Sequence, residues 1–156
     1  MMLHENPFYL SIGSDHAGYE LKTKLYEYLK TTYKIIDRGT NSEQSVDYPD
    51  YAHKVALDVS TNDTKFGILL CGSGQGVNIT ANKNTLVRSA LCWNEEVAKL
   101  SRQHNDANIL ALPARFLTFE QARTIVEAFL ITEFEGGRHL KRIEKITSII
   151  QQSSQN

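Results

Sequence analysis

The amino-acid sequence predicts one α/β domain with a five-stranded parallel sheet and an additional helix at its carboxyl end. Short apolar runs alternate with longer segments of helical periodicity, which is the pattern of consecutive βα units around a parallel sheet. Five such units can be counted, and the last helical segment has no strand after it. A chain of 156 residues can build one hydrophobic core but not two ordinary domains. We therefore expect a single domain over residues 1–156, with its core in residues 9–146 and flexible ends at 1–7 and 151–156.

The first two βα units are predicted from strands at residues 9–12 and 34–36. Each strand precedes a segment whose apolar residues recur at helical spacing, so that they line one face. These residues are Leu21, Leu25, Tyr28 and Leu29 in the first helix and Ala52, Val55, Ala56 and Val59 in the second. The loop before the second helix contains Asp47, Tyr48 and Pro49. It is unusually long, and long loops in compact domains are often functional.

The remaining strands are predicted at residues 66–70, 89–93 and 109–112. The first of these is a continuous apolar run, as expected for a strand that is buried on both faces of a parallel sheet. Asn94 is placed to cap the fourth helix, and Thr118 forms a capping box with Gln121 at the start of the fifth. The final helix follows two glycines and carries an apolar stripe that could pack on a second subunit: Ile143, Ile146, Ile149 and Ile150.

The charge balance and the cysteine content indicate a soluble cytoplasmic protein with a small partner. Seventeen Lys and Arg residues oppose eighteen Asp and Glu residues, so no global charge attracts nucleic acid or an anionic membrane. Two cysteines are too few to crosslink a domain of this size and favour a reducing compartment. The polar segment 1–7 is unlike a secretory signal, and no apolar run approaches the roughly 18 residues that a membrane span needs.

Cys71 and the glycine-rich segment after it form the most informative pattern in the chain. Cys71 directly follows the buried third strand, and Gly72, Gly74 and Gly76 follow within five residues. Glycines let the backbone approach a ligand closely, and its N–H groups can then hold a phosphate or a developing oxyanion. Because helix starts and nearby cations favour a thiolate, Cys71 is a candidate base or nucleophile. The alternative is a buried cysteine before an ordinary turn, and this structural role is the one we predict for Cys92.

Two common phosphate-binding motifs do not match this segment. A cysteine-based phosphatase requires an arginine six residues after the cysteine, where this chain has Val77. A dinucleotide-binding fingerprint requires GxGxxG after the first strand, whereas this segment reads GSGQG and follows the third. Neither motif therefore explains the cysteine and its glycines.

Other polar residues lie at predicted strand and helix ends. Asp15 and His16 follow the first strand and can bind a sugar hydroxyl or a phosphate, although such a pair also serves as a helix cap. The pair meets Cys71 if the first and third strands are neighbours, because ligands bind at the carboxyl ends of parallel strands. His104, at the end of the fourth helix, is a candidate acid or base, although a histidine there can also simply stabilise the helix terminus.

Arg138 and Arg142 are four residues apart in the final helix. Their side chains share a helix face and can grip a phosphate, although an ordinary solvated basic face gives the same pattern. The five histidines show no spacing that is typical of a metal site. We therefore expect no metal and no other cofactor.

Six segments, taken in order, resemble those of the type B ribose-5-phosphate isomerase family, which also contains galactose-6-phosphate isomerase subunits. The resemblance covers about residues 9–146. The segments are GSDHAG from residue 13, DYP from 47, CGSGQG from 71, ANK from 81, SRQHND from 101 and GGRH from 136. The resemblance implies a three-layer, Rossmann-like fold, no metal, and a homodimer or a dimer of dimers with sites at the subunit interface.

The resemblance also implies a reaction, the interconversion of ribose 5-phosphate and ribulose 5-phosphate through an enediolate. Cys71 would move the proton, and His104, with help from Asp15, would open the furanose ring. A branch of the family uses a glutamate as the base, but the corresponding residue here is Val77. The other implied site residues are Ser73 near the reacting oxygens, the amides of Gly72, Gly74 and Gly76 at the enediolate, Asn105 at a sugar oxygen, Tyr48 in the pocket wall, and His16, Arg115, Arg138 and Arg142 at the phosphate.

Two residues depart from the family pattern. Pro113, which fixes φ and lacks an N–H, precedes Arg115 where small residues are usual, and Asn78 stands where a serine is common. These differences bear on the phosphate role of Arg115 and on the sugar end of the pocket. The alternatives are an isomerase of a six-carbon or other phosphorylated aldose, such as allose or galactose 6-phosphate, and a non-catalytic module that binds sugar phosphates.

Overall fold

The computed structural model describes residues 8–155, and the predicted flexibility of residues 1–7 lies outside them. Five parallel strands form one sheet: β1 (Tyr9–Ser14), β2 (Lys34–Asp37), β3 (Phe66–Cys71), β4 (Ser89–Leu91) and β5 (Ile109–Pro113). Their order across the sheet is β2-β1-β3-β5-β4. The helices are α1 (Tyr19–Leu29), α2 (Tyr48–Ser60), α3 (Gln75–Ala81), α4 (Glu95–Asn105), α5 (Phe119–Ile131) and α6 (Arg138–Ser153).

Two apolar layers cover the two faces of the sheet, which confirms the predicted α/β architecture. On one face, alternate residues of β1, β3 and β5 pack against α1, α4 and α5. On the other face, the intervening residues of β3 and β5 pack against α2 and α3. Every residue of β3 is therefore buried, which explains its continuous apolar sequence.

The predicted helix starts at Asn94 and Thr118 are confirmed, whereas every predicted strand end and the end of the last helix differ from prediction by one to three residues. The Asn94 side chain accepts a hydrogen bond from the Val97 N–H at 2.9 Å, and Thr118 forms its capping box with Gln121. β4 ends at Leu91 instead of residue 93, because the chain turns there toward the Asn94 cap. Helix α6 continues to Ser153, so it includes half of the segment 151–156 that we expected to be flexible.

The strand order places one crevice at the carboxyl edge of the sheet. From β1 the chain adds β2 on one side and then returns to add β3 on the other, so the order reverses between β1 and β3. Crevices at such reversals are where ligands bind in open parallel sheets. None of the helices within residues 8–155 has the length and apolar character that spanning a membrane requires.

Candidate active site

The turn after β1 and the end of β3 meet at this crevice, as the sequence predicted for neighbouring strands. The Asp15 N–H donates to the Leu70 carbonyl oxygen at 3.3 Å. Asp15 is buried, and its Oδ1 accepts from the Gly18 N–H at 3.1 Å. One carboxylate oxygen is therefore engaged within the turn before α1; the N-cap residue of that helix is Gly18, which receives no capping hydrogen bond from a side chain.

Cys71 is the last residue of β3 and lies at the base of the glycine-rich loop. Its side chain faces the core layer of α2 and α3, and the residue is only 5% exposed. Gly74 has a φ of +74°, a left-handed conformation that turns the chain sharply from the loop into α3. Ser73 is exposed beside it, and its hydroxyl accepts from the Gln75 N–H at 3.4 Å.

Tyr48 packs against the same loop, from the first turn of α2. A Cβ added to Gly76 would lie 2.6 Å from Cζ of the Tyr48 ring, so only glycine lets the ring sit this close. The long loop before α2 is also tied to the β1 turn, because the Val46 N–H donates to Nδ1 of His16 at 3.2 Å. A neutral His16 ring that accepts at Nδ1 carries its proton on Nε2, where it can donate to a ligand.

Arg115 brings a positive charge to the glycine-rich loop from the far side of β3. The backbone N–H of Arg115 donates to the Gly72 carbonyl oxygen at 3.0 Å. The Arg115 guanidinium also packs on Gly72, so closely that a Cβ added to this glycine would lie 2.9 Å from one guanidinium nitrogen. Pro113 pairs in register with Cys71 at the end of β5. The proline therefore leaves Arg115 at the loop, despite its departure from the family pattern.

His104, Asn105, Arg138 and Arg142 do not join this group, because they lie at the amino edge of the sheet. The last turn of α4 packs on the start of β3, where the Arg102 guanidinium stands 4.7 Å from the centroid of the Phe66 ring. β3 rises about 3.3 Å per residue, so its six residues separate Cys71 from that edge by about 17 Å. Within one chain, the predicted site residues thus form two groups at opposite edges of the sheet.

The amino-edge group is compact. Its residues line an open pocket of about 490 Å³ together with two isoleucines of α6: His104, Asn105, Arg138, His139, Arg142, Ile143 and Ile146. The imidazoles of His104 and His139 are stacked, with centroids 4.4 Å apart and planes inclined by 13°. Both arginines are exposed, so their charges are available to an anion at this pocket.

Asp106 holds the end of α4 between two arginines. It has a φ of +45°, its Oδ1 accepts from Arg102 at 2.8 Å, and its Oδ2 accepts from Arg88 at 3.2 Å. Arg102 is only 6% exposed and also donates to the Thr132 carbonyl oxygen. Arg102 and Asp106 are four residues apart at the end of α4, but nothing in the sequence indicates that Arg88, from the segment before β4, joins them. This arrangement fixes the backbone that presents His104.

Two further groups bear on the predicted chemistry. The donor atoms of His104, Glu135 and His139 lie within 4.8 Å of one another, a set that sequence spacing did not predict. The stacked rings keep their lone pairs in nearly parallel planes, and the cations of Arg138 and Arg142 lie beside them, so we assign no metal there. Cys92 is fully buried, as predicted for a structural cysteine, and its burial raises the pKa of its thiol to about 11.

The fold, together with the glycine-rich loop and Arg115 at the carboxyl edge, defines a doubly wound α/β protein that can bind a small anionic ligand at this end of its sheet. Residues 10–146 match the model of the Ribose/Galactose Isomerase family. Ribose-5-phosphate isomerase B of Escherichia coli is 44% identical over 143 residues, which are 91% of this chain and 96% of that protein. This chain belongs to the ribose/galactose isomerase family and is an enzyme of that class.

Solved structures show the same relationship. Ribose-5-phosphate isomerase B of Clostridium thermocellum is 46% identical and superposes with a TM-score of 0.91, over 93% of this chain and 99% of that one. The Mycoplasma genitalium enzyme, solved with bound ribulose 5-phosphate, is 45% identical with a TM-score of 0.88, over 92% of this chain and 97% of that one. The three-layer, Rossmann-like fold that the resemblance implied is therefore confirmed.

Proposed function

We propose that this enzyme interconverts ribose 5-phosphate and ribulose 5-phosphate, with Cys71 as the base. The observation that carries the proposal is the position of Cys71, a buried thiol at the base of a backbone cradle with the Arg115 cation across it. Relatives of the same length and fold, including one solved with ribulose 5-phosphate, support this choice of substrate.

The proposed chemistry needs one base and one oxyanion site. The Cys71 thiolate removes the proton from C2 of the open-chain aldose, and the electron pair moves to form an enediolate. The loop amides and Ser73 face the oxygens on which negative charge develops. The Cys71 thiol then returns the proton to C1, while a proton moves from O2 to O1. Val77 is apolar and cannot replace Cys71 as the base.

The second half of the proposal is that a partner subunit completes each site. His104, with Asp15, is suited to open the furanose ring, while His16, Arg115, Arg138 and Arg142 hold the phosphate and Asn105 a sugar oxygen. Because the length of β3, about 17 Å, separates Cys71 from the amino edge of the same chain, the proposed site needs the amino edge of another copy. The exposed apolar side chains of α6 support such an assembly, a homodimer or a dimer of dimers: Leu140, Ile146, Ile149 and Ile150.

Conversion of ribose 5-phosphate by the purified enzyme in excess chelator tests the activity and the base together. Cys71→Ala should lower kcat by at least ~10², the usual effect of losing a positioned base. The matched control is Cys92→Ala, which removes the other thiol and should turn over at a rate close to that of the wild type. Turnover of Cys71→Ala near the wild-type rate would exclude the proposed base.

A six-carbon substrate is the second candidate, because the matching family model covers galactose as well as ribose isomerases. Relative kcat/KM for ribose 5-phosphate, allose 6-phosphate and galactose 6-phosphate separates the two. We expect the five-carbon sugar to be preferred, and preference for either six-carbon sugar would replace it. Both cysteines are free thiols, which supports our expectation that the enzyme acts in the reducing cytoplasm.

A further inference from the structure

His139 lies against the one amino-edge residue to which we assign proton transfer. The centroids of the His104 and His139 rings are 4.4 Å apart, just below the usual range for aromatic pairs, and the planes are nearly parallel. His104 is partly exposed, whereas His139 is only 6% exposed. His139 is therefore the fixed member of the pair, and its ring face limits the planes that the His104 ring can adopt.

The backbone holds the two rings in this relation. His139 lies in the first turn of α6, where its N–H donates to the Gly136 carbonyl oxygen at 3.1 Å. The Glu135 N–H donates to the carbonyl oxygen of Gln103 at 3.1 Å, so the segment before α6 is bonded to the residue that precedes His104. Oε2 of Glu135 lies 3.5 Å from Nε2 of His139.

The surroundings of His139 favour its neutral ring. Burial, the neighbouring His104 ring and the guanidinium groups of Arg138 and Arg142 lower the pKa of His139, and the Glu135 carboxylate offsets this only in part. A neutral ring does not repel a proton on His104, whereas a cation 4.4 Å away would. Stacking can therefore orient His104 without opposing its role as an acid.

We propose that His139 is a positioning residue, whose buried ring sets the plane of His104 and so aims it at the ring oxygen of the substrate. This inference rests on the proposed function and extends it to a residue that does not itself bind the sugar. It separates His139 from its neighbours Arg138 and Arg142, which act directly on the phosphate.

Four variants test whether His139 acts through His104: His139→Ala, His139→Phe, His104→Ala and the double variant His104→Ala with His139→Ala. With ribose 5-phosphate as substrate, His139→Ala should lower kcat at least ~10-fold, because small misplacements of a catalytic group are costly. His139→Phe retains a stacking ring and should recover most of kcat. In the His104→Ala background, the removal of His139 should have no further effect on kcat.

Inorganic phosphate, used as a competitive inhibitor, tests the arginines separately. Its inhibition constant should be the same within about twofold in wild type and both His139 variants. Wild-type kcat in His139→Ala, additive losses in the double variant, or weakened phosphate inhibition in both His139 variants would overturn the positioning role.

The ring-current shift of the His104 imidazole protons, measured by NMR with and without His139, reports the stack without any substrate. If the wild type shows this shift but does not isomerise ribose 5-phosphate, the proposed function is wrong, and so is the role of His139 in catalysis. If the wild type is active but the shift is absent, only the positioning role fails.

Discussion

The two edges of the sheet form their sites from different chemical groups. At the carboxyl edge, backbone defines the site: strand ends, a left-handed glycine and a loop packed against Tyr48 and Arg115. At the amino edge, side chains define it: stacked imidazoles, and Asp106 between two arginines. The geometry of the carboxyl edge therefore depends on steric fit, and that of the amino edge depends on side-chain interactions. Added atoms should disturb the first, and removed side-chain groups should disturb the second.

The largest effect that follows from this comparison is complementation between subunits. Cys71→Ala damages only the carboxyl edge, and His104→Ala only the amino edge. If each site takes one edge from each of two subunits, a random mixture of the two inactive variants has one intact site in four, since each edge is intact with a probability of about one half. Co-expressed variants should therefore show about a quarter of wild-type turnover per site.

The matched control pairs two variants of the same edge. Cys71→Ala and Asp15→Ala both alter the carboxyl edge, so no mixed subunit arrangement restores an intact site and the mixture should stay inactive. Absence of activity in the mixture of Cys71→Ala and His104→Ala, with mixed oligomers shown by mass spectrometry, would refute the shared site.

A smaller effect is expected from one added methyl group at the carboxyl edge. In Gly76→Ala, the new Cβ would lie 2.6 Å from the Tyr48 ring and displace it. We expect kcat/KM for ribose 5-phosphate to fall about tenfold, the scale that displacement of a substrate-positioning group gives. Stability should not fall because of helix propensity, since alanine is the better helix former.

Tyr48→Ala provides the test of this steric reason. If the damage in Gly76→Ala passes through the tyrosine ring, the double variant should lose no more activity than Tyr48→Ala alone. Ile79→Ala, at an exposed position of the same helix, serves as the control for substitution within α3. Fully additive losses in the double variant would show that Gly76 acts independently of Tyr48.

Much of the carboxyl edge could be predicted from the sequence, but little of the amino edge could. An apolar run followed by Cys71 and three glycines predicts a buried strand that ends in a ligand-binding loop. If the first and third strands are adjacent, Asp15 lies beside this loop. The position of β5 between β3 and β4 has no such signature, because each strand is a short apolar run that fits either place. Its consequence is the position of Arg115 over Gly72. The resemblance implied only a phosphate role for Arg115 and not this contact.

The separation of His104 from Cys71 did have a signal in the sequence. A helix that follows a parallel strand runs back toward the amino edge, so a histidine at the end of α4 must lie there. The stack of His104 on His139 had none, since 35 residues and a helix separate the two rings. The contact of Asp106 with Arg88 is likewise formed between elements, where no periodicity predicts it, whereas Asp106 and Arg102 have the i,i+4 spacing of a helical pair.

At the amino edge, removing the charge of one carboxylate should destabilise the fold. Asp106→Asn keeps a side chain that tolerates the left-handed backbone but leaves the buried Arg102 without its carboxylate. Because Asp106 is partly exposed, we expect a loss of about 1–3 kcal/mol in the free energy of unfolding, less than for a fully buried pair. Urea unfolding measures it, with Glu144→Gln on α6 as the control. A change below ~0.5 kcal/mol would show that the bridge does not hold the end of α4.

The smallest predicted effect is a change in how stability depends on pH. The pKa of His139 is lowered in the folded chain by burial first, then by His104, Arg138 and Arg142, relative to an ordinary value of 6.5. Between the lowered pKa and 6.5 the unfolded chain binds more protons, so stability is complete above that window and falls as the pH drops through it. His139→Phe cannot titrate and should lose less stability than the wild type between pH 7.5 and 5. Glu135→Gln removes the carboxylate that raises this pKa, so it should steepen the loss, and an equal pH slope in all three proteins would contradict the assignment to His139.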